Sequence, residues 1–244
     1  MPHRSPVFYI AALLACWSTA LLAQPEKLLV TGTASNLKTG SVVYREYHNV
    51  SKEQHSVRYV DAANKLIASK FVHYQHGFNT PEYQLDDKRF NRRTGSKWEN
   101  GHFVIFRQEK SGKSDRKIIK SDSNMVIDAG FDHFIRLHWD ELIDGKVLPF
   151  SLAVADPLTI LHMELTEMSA VQTAIKQRSD RYRYFLVHSS NNLIGWAIPE
   201  MHMAYDRDTK LIQIYQGPSN LTDQDDKTQT VVIRYEYRMA DDKP

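Results

Sequence analysis

The strongest constraint on the fold lies between Asp128 and Asp156, where a helical repeat of apolar residues passes directly into a β repeat. Asp128 is of a residue type that caps helix N-termini, and Gly145 suits the left-handed position after a last helical turn. The sequence therefore predicts one main helix over residues 129–144. Its apolar residues recur at the spacing of a single helix face: Phe131, Phe134, Ile135, Trp139, Leu142 and Ile143.

The segment after Gly145 has the period of two that is typical of a β-strand. Pro149 lacks an N–H group, so we expect this strand to have a free side at that point. Large aromatic residues on the helix stripe exceed what a surface helix needs, so we expect the sheet to curve around the helix. The apolar residues of the strand alternate with others: Leu148, Phe150, Leu152 and Val154.

Almost all of the remaining sequence is typical of β-strands that are separated by short turns. Signals for tight hairpins occur at residues 62–64 and 207–209, while residues 83–90 fit either a strand or a short helix. Because about eleven strands follow one another without alternating helices, we expect antiparallel pairing and no parallel α/β fold. The predicted fold is mainly β, a single domain over residues 24–244. Its strongly curved antiparallel sheet forms a half-barrel that is wrapped around the one main helix.

Residues 1–23 have the parts of a secretory signal peptide. A basic start at His3 and Arg4 leads into an apolar run that ends with small residues at Ala23. Polar residues interrupt this run, which is short for a bilayer span. We therefore expect export to the periplasm, cleavage after Ala23, and no transmembrane span in the rest of the chain.

The only cysteine, Cys16, lies inside this segment. The residues before it resemble a lipoprotein cleavage site, so a lipid anchor on Cys16 is the alternative to soluble export. Cleavage after Ala23 would leave no thiol, which excludes a disulfide framework and a cysteine nucleophile. The chain carries 31 Lys and Arg residues against 29 Asp and Glu residues, and this near balance provides no strong field for nucleic acid.

No motif predicts a catalytic residue, a metal ligand or a cofactor, so an enzyme is the less favoured class of protein. Two metal-binding histidines on one helix face need a spacing of four residues, whereas His133 and His138 are five apart. Residues 112–114 (GKS) are predicted to form a turn, because the first glycine of a phosphate-binding loop is replaced by arginine. On a strand, the two methionines at residues 201–203 face opposite to the histidine between them, so we expect them in the core.

A basic run with interleaved Phe90 and Trp98 occupies residues 88–98. Such a patch can bind phosphates or a membrane surface. Acidic residues flank it on both sides and dilute its field, so we expect a solvated face.

Three stretches resemble a group of uncharacterised proteobacterial envelope proteins: VVYRE at residues 42–46, GFDHFIRLHWDELIDG at 130–145 and YDRDTKLIQIYQGPSN at 205–220. The predicted architecture is also similar to the lipoprotein-carrier half-barrels of the LolA/LolB type. In that family an antiparallel sheet curves around helices and leaves an apolar cavity. The resemblance implies a lipid or lipoprotein anchor as ligand, but it carries no specific residue over to this sequence.

The first hypothesis is a non-enzymatic periplasmic protein that binds an acyl chain or lipid in the concavity of the sheet. Two alternatives stay open: an envelope protein–protein interaction domain with a filled core, and a hydrolase whose site is dispersed over loops. No cofactor is expected. The predicted apolar wall of the ligand site consists of Phe131, Phe134, Ile135, Trp139, Leu148, Phe150, Leu152 and Met163.

The targeting segment leads to a prediction about the mature protein. We expect the chain recovered from a periplasmic extract to begin at Gln24, because signal peptidase cuts after small residues such as Ala23. Intact mass spectrometry measures this directly. A species that begins at Cys16 with diacylglycerol attached would contradict soluble export.

Overall fold

The computed structural model describes residues 28–120, 123–191 and 198–239. The predicted signal segment, residues 1–23, lies outside these ranges. Within them the chain forms fifteen strands and two short helices. The strands are β1 (Leu28–Asn36), β2 (Val42–Val50), β3 (Gln54–Asp61), β4 (Leu66–His73), β5 (Glu82–Asp87), β6 (Arg92–Glu99), β7 (His102–Gln108), β8 (Ser114–Ile119), β9 (Met125–Ile127), β10 (Leu148–Ala155), β11 (Leu158–Met168), β12 (Tyr182–Ser189), β13 (Met201–Asp206), β14 (Ile212–Pro218) and β15 (Thr230–Met239). The helices are α1 (Gly130–Leu137) and α2 (Trp139–Ile143).

All fifteen strands belong to one sheet in the order β8 to β1, then β15 to β9. Neighbours in the chain pair as antiparallel hairpins, and the first and last strands pair in the middle of the sheet over Leu28–Asn36. The exception is β9, which pairs with β10 in parallel. A parallel pair needs a long crossover connection, and α1 and α2 provide it.

The sheet is curved and open, since β8 and β9 are its two edges and do not pair. The face of β10 that carries Ala153 and Ala155 packs with Phe103 and Ile105 of β7. The concave face of β7, near one edge of the sheet, therefore lies against the convex face of β10, near the other edge. The mainly β, strongly curved sheet is confirmed, but the number of strands is fifteen and the predicted value of about eleven is wrong.

The prediction of one main helix around which the sheet wraps is also wrong. The backbone leaves the helical conformation at His138, which separates α1 from α2. Helix α1 packs near β9, whereas α2 packs near β11, so packing against different strands sets the break. The helices cover only β10–β14, and the other half of the sheet packs directly on β9–β11.

The two ends of the helical segment differ in how well they were predicted. At the start, Asp128 has a φ of 40°, and Ala129 is the N-cap without a side-chain cap bond. At the end, Gly145 has the expected positive φ of 83°. The N–H of Gly145 donates to the carbonyl of Leu142, one of the two bonds of a Schellman motif. The predicted cap at Asp128 is wrong, and the predicted end at Gly145 is confirmed.

Gly130 is required by the close approach of another segment. A Cβ atom at this position would lie 2.0 Å from the carbonyl oxygen of Asn79. The same carbonyl accepts a hydrogen bond from the N–H of Ile127 at 2.9 Å. The loop between β4 and β5 is therefore held against the start of α1.

Strands β6 and β9 are absent from the sequence prediction. Asn100 and Gly101 connect β6 to β7, and both have positive φ, at 50° and 82°. An Asn-Gly pair in a two-residue connection is among the strongest hairpin signals, and it would have located β6. Strand β9 has only three residues and carries no such signal.

Burial of the apolar face of the helical segment leads to a prediction about stability. Trp139 is buried at 3% exposure, whereas the neighbouring Asp140 side chain is 94% exposed. We expect Trp139→Ala to lower the free energy of unfolding by about 3–5 kcal/mol, because it leaves a large cavity. The matched Asp140→Ala variant is expected to change it by at most about 0.5 kcal/mol. Urea denaturation measures both, and equally small losses would contradict a buried stripe.

Candidate functional site

The predicted apolar wall is gathered in one cluster. Phe134, Ile135, Trp139, Phe150 and Met163 are buried there. The remaining three residues of the wall are partly buried and pack against the same cluster: Phe131, Leu148 and Leu152. The structure thus brings together all eight residues on the side of the sheet that the helices cover.

This cluster is closely packed. The ring of Phe134 lies 5.3 Å from that of Phe150, and the ring of Trp139 lies edge-on to Phe185 at 5.3 Å. Ile135 and Leu165 have 0% exposure. A ligand would need room that these side chains now fill, so α1 and α2 would have to move for an acyl chain to enter. Binding of an apolar ligand by this wall stays a prediction.

The other half of the interior contains a buried polar chain that the sequence prediction missed. Glu46 and His48 alternate along β2 and point to the concave face, and His55 lies beside them on β3. Glu46 Oε2 is 2.9 Å from His48 Nε2, and His48 Nδ1 is 2.8 Å from His55 Nε2. The side chains of Glu46 and His48 are only 4% and 13% exposed. These three residues form a carboxylate–imidazole–imidazole chain.

A glycine makes room for the buried carboxylate. Gly32 on β1 lies opposite Glu46, and a Cβ atom there would approach Glu46 Oε2 to 2.9 Å and Tyr235 Cε1 to 3.0 Å. Glycine inside a strand often marks such a close approach. Together with the alternation in β2, it is the sequence signal that could have indicated a buried polar group.

A buried ion pair lies on the same face. Lys70 Nζ donates to Asp128 Oδ1 at 2.7 Å, and the two side chains are 6% and 13% exposed. Burial is the largest influence on the pKa of Lys70 and lowers it, but the charge and hydrogen bond of Asp128 outweigh burial and raise it above its ordinary value. Lys70 therefore stays charged in the interior. The carboxylate that was predicted to cap the helix instead neutralises this cation.

The walls around these groups are aromatic. Tyr44 and Tyr59 are 1% exposed, and their rings lie 5.9 Å apart. Burial, with a contribution from Glu46, raises the pKa of both phenols well above the ordinary value. Both hydroxyls thus remain neutral. Their rings pack beside the polar chain on the same face of the sheet.

Several smaller predictions concern residues outside the apolar wall. Gly112 has a φ of 84° in the turn between β7 and β8, which confirms the predicted turn there, although Ser114 already belongs to β8. His138 and Glu141 form a hydrogen bond at 2.8 Å that only orients neighbouring side chains. Met203 lies in the apolar cluster, as predicted. Across the ranges that the structure describes, no three His, Cys, Asp or Glu residues are placed to hold a metal ion.

The basic run is not simply a solvated face. Strand alternation turns Arg92 towards the concave side, where it is 9% exposed and ion-pairs with Asp226 at 2.9 Å. Arg93 points outward and pairs with Asp86 at 2.8 Å. Four of the five cations of this run form ion pairs, namely Arg89, Arg92, Arg93 and Lys97, and this leaves little charge for a basic patch.

Two open cavities occur on the surface. One, of about 250 Å³, lies beside the loop between β4 and β5 and includes Asn79 and His133, whose side chains are 2.9 Å apart. The other, of about 510 Å³, lies beside the β11–β12 connection and includes Arg183 and Arg207. Neither borders the predicted apolar wall. No helix of the described residues is long and apolar enough to cross a membrane.

His55 yields a prediction about acid stability. Burial, followed by the charges of His48 and Lys70, lowers its pKa from 6.5 to about 3. Between these values the unfolded chain binds a proton that the folded chain does not, so stability falls as the pH is lowered below 6.5. The loss approaches about 1.4 kcal/mol per pH unit for one such group.

Urea unfolding between pH 7.5 and pH 4.5 tests this expectation. The His55→Gln variant should show a smaller loss of stability on acidification than the wild type. The control His102→Gln changes an exposed histidine and should keep the wild-type slope. Equal slopes for all three proteins would contradict a partly buried His55 that stays neutral in the folded chain.

Comparison with known proteins shows similarity at the level of the fold. No protein-family profile and no curated protein sequence matches the chain. The structure is similar to the crystal structure of a β-barrel-like protein of the domain of unknown function DUF1849 from Brucella abortus. The TM-score is 0.51 and the identity 9%, with 88% of this chain and 99% of that chain covered. This similarity confirms the coarser part of the predicted resemblance, a barrel-like fold that occurs in a bacterial protein of unknown function.

Proposed function

We propose that the protein is a non-enzymatic, exported binding module that has a filled core and binds a partner through its outer surface. The observation that carries this proposal is the packing of the concave face. Phe134, Trp139 and Phe150 fill one half at 2–3% exposure, and Tyr44 and Phe103 fill the other at 1–2%. A binding site inside the sheet would need space that these side chains occupy.

The buried polar groups support the same proposal. Glu46, His48 and His55 bond to one another, and Lys70 bonds to Asp128. Each of these bonds satisfies a group that would be costly to bury alone. Neutral tyrosines surround them, so the geometry favours a structural network over an acid–base site that acts on a substrate.

The outer surface offers apolar contacts instead. Phe71, Phe78 and Ile118 are 46%, 44% and 65% exposed. Phe71 and Ile118 lie on β4 and β8, with three strands between them, so they offer separate apolar contacts to a partner and not one continuous patch. Periplasmic localisation, from the predicted signal peptide, would place such a module in the cell envelope.

An apolar ligand in the concavity is the second candidate function, as expected for a LolA/LolB-like carrier. The observation that favours it is methionine in the apolar cluster: Met163 and Met203 are both buried there. Methionine side chains adapt to varied shapes. Under this hypothesis α1 and α2 move aside, and a lipid replaces the contacts of Leu152 and its neighbours.

Native mass spectrometry and affinity capture separate the two functions. We expect the protein purified from the periplasm to have the mass of the chain alone, and the tagged protein to retain a protein partner from envelope extract in a fixed ratio. Leu152→Trp is expected to leave partner capture unchanged, because Leu152 faces the packed cluster. One lipid per chain, lost in Leu152→Trp, together with no captured protein, would contradict the proposed function and favour the carrier.

A further inference from the structure

The edge strand β8 is open to solvent along almost its whole length. Five consecutive residues of β8, from Ser114 to Ile118, are exposed, and only Ile119 is buried. Its one neighbour in the sheet is β7. A strand that is exposed on both faces and at one edge can accept a further strand through its backbone.

The hydrogen-bond pattern identifies the free backbone groups. The N–H of Glu109 donates to the carbonyl of Lys113 at 2.9 Å, so these two residues form a hydrogen-bonded pair. Such pairs alternate along an antiparallel ladder. Asp115 and Lys117 therefore bond to β7, while Arg116 and Ile118 direct their N–H and C=O groups away from it. Within the described residues no backbone group pairs with these outward groups.

The side chains of β8 define what kind of strand fits. Ile118 is 65% exposed on one face. Lys117 lies on the other face and has no ion-pair partner in the part of the chain that is described, while Lys113 pairs only with the exposed Asp115 at 3.3 Å. An added strand would place apolar residues beside Ile118 and acidic residues beside Lys117. Such a strand has alternating apolar and acidic residues.

A second copy of this chain fits the edge poorly. Antiparallel pairing of β8 with itself would be centred on Arg116 or on Lys117, and it would set that residue directly opposite the same residue of the second copy. Like charges on opposite strand positions are destabilising. Basic residues on an edge commonly prevent this kind of self-association, and they leave an acidic strand as the favoured occupant.

We propose that β8 is the docking edge of the module, and that it binds an extended protein segment of alternating apolar and acidic residues by β-augmentation. This inference rests on the proposed function and adds to it the surface and the chemistry of the partner. Main-chain hydrogen bonds to Arg116 and Ile118 provide affinity. Contacts with Ile118 and Lys117 provide selectivity.

Fluorescence anisotropy with a blocked, labelled octapeptide of alternating valine and glutamate tests the proposal. We expect the wild-type protein to bind this probe, and to bind a version with N-methylated alternate amides at least about tenfold more weakly, because methylation removes the pairing N–H groups. A probe with lysine in place of glutamate should also bind at least about tenfold more weakly. The protein is unchanged in these comparisons, so folding defects play no part.

Protein variants then locate the site. Lys117→Glu is expected to weaken binding of the glutamate probe, whereas Lys176→Glu, the same charge change at an exposed residue outside the sheet, should bind as the wild type does. Ile118→Pro removes one outward N–H and should abolish binding. Equal binding of the N-methylated and unmodified probes, or no binding by the wild type, would overturn the proposal. A concentration-dependent dimer that Ile118→Pro abolishes would also overturn it, in favour of a second copy.

Affinity capture from envelope extract distinguishes failure of the β8 docking edge from failure of the proposed function. Loss of the captured partner in Ile118→Pro, with retention in Lys176→Glu, supports the docking edge. A partner retained by Ile118→Pro overturns the assignment of β8 and leaves the proposed function standing. Bound lipid with no captured partner overturns the proposed function itself.

Discussion

Burial of both faces of β10 is the constraint on which the rest of the structure depends. One face packs under α1 through Phe150, and the other packs against β7 through Ala153. Small residues on the second face let the strands approach closely, while large residues on the first fill the space beneath the helices. The open sheet thereby acquires a continuous core although its two edge strands, β8 and β9, do not pair with each other.

The same arrangement explains why polar groups lie in the interior. A sheet this wide curves so far that parts of its concave face are covered by its own other end. Glu46 and Lys70 lie on that covered face and are satisfied by His48 and Asp128. Buried charges without partners would destabilise the fold by several kcal/mol. The bond between His48 and His55 extends the first pair from β2 to β3, and the Lys70–Asp128 pair ties β4 to the segment that begins α1.

An open sheet also leaves an edge. Strand β9 is short and continues into the helical crossover, whereas β8 has six residues and a free side. The contrast between a filled interior and an accessible edge is the basis of our proposal that a partner binds on the outside of the molecule. Closed barrels commonly have no free edge and bind a ligand inside, because closure pairs the edge strands and larger barrels leave room in the interior.

The sequence by itself determined the local features of this protein. Alternation located most strands, the apolar stripe located the buried side of the helical segment, and Gly145 marked its end, because these signals depend on neighbouring residues only. Tertiary structure decided the break at His138, the pairing of β1 with β15, and the partners of Glu46 and Asp128. Each of these depends on contacts between residues far apart in the chain, for which spacing along the sequence carries no information. For the same reason the sequence identified the eight residues of the apolar wall, while only the packing of β10 on both faces decided that they meet as a filled core.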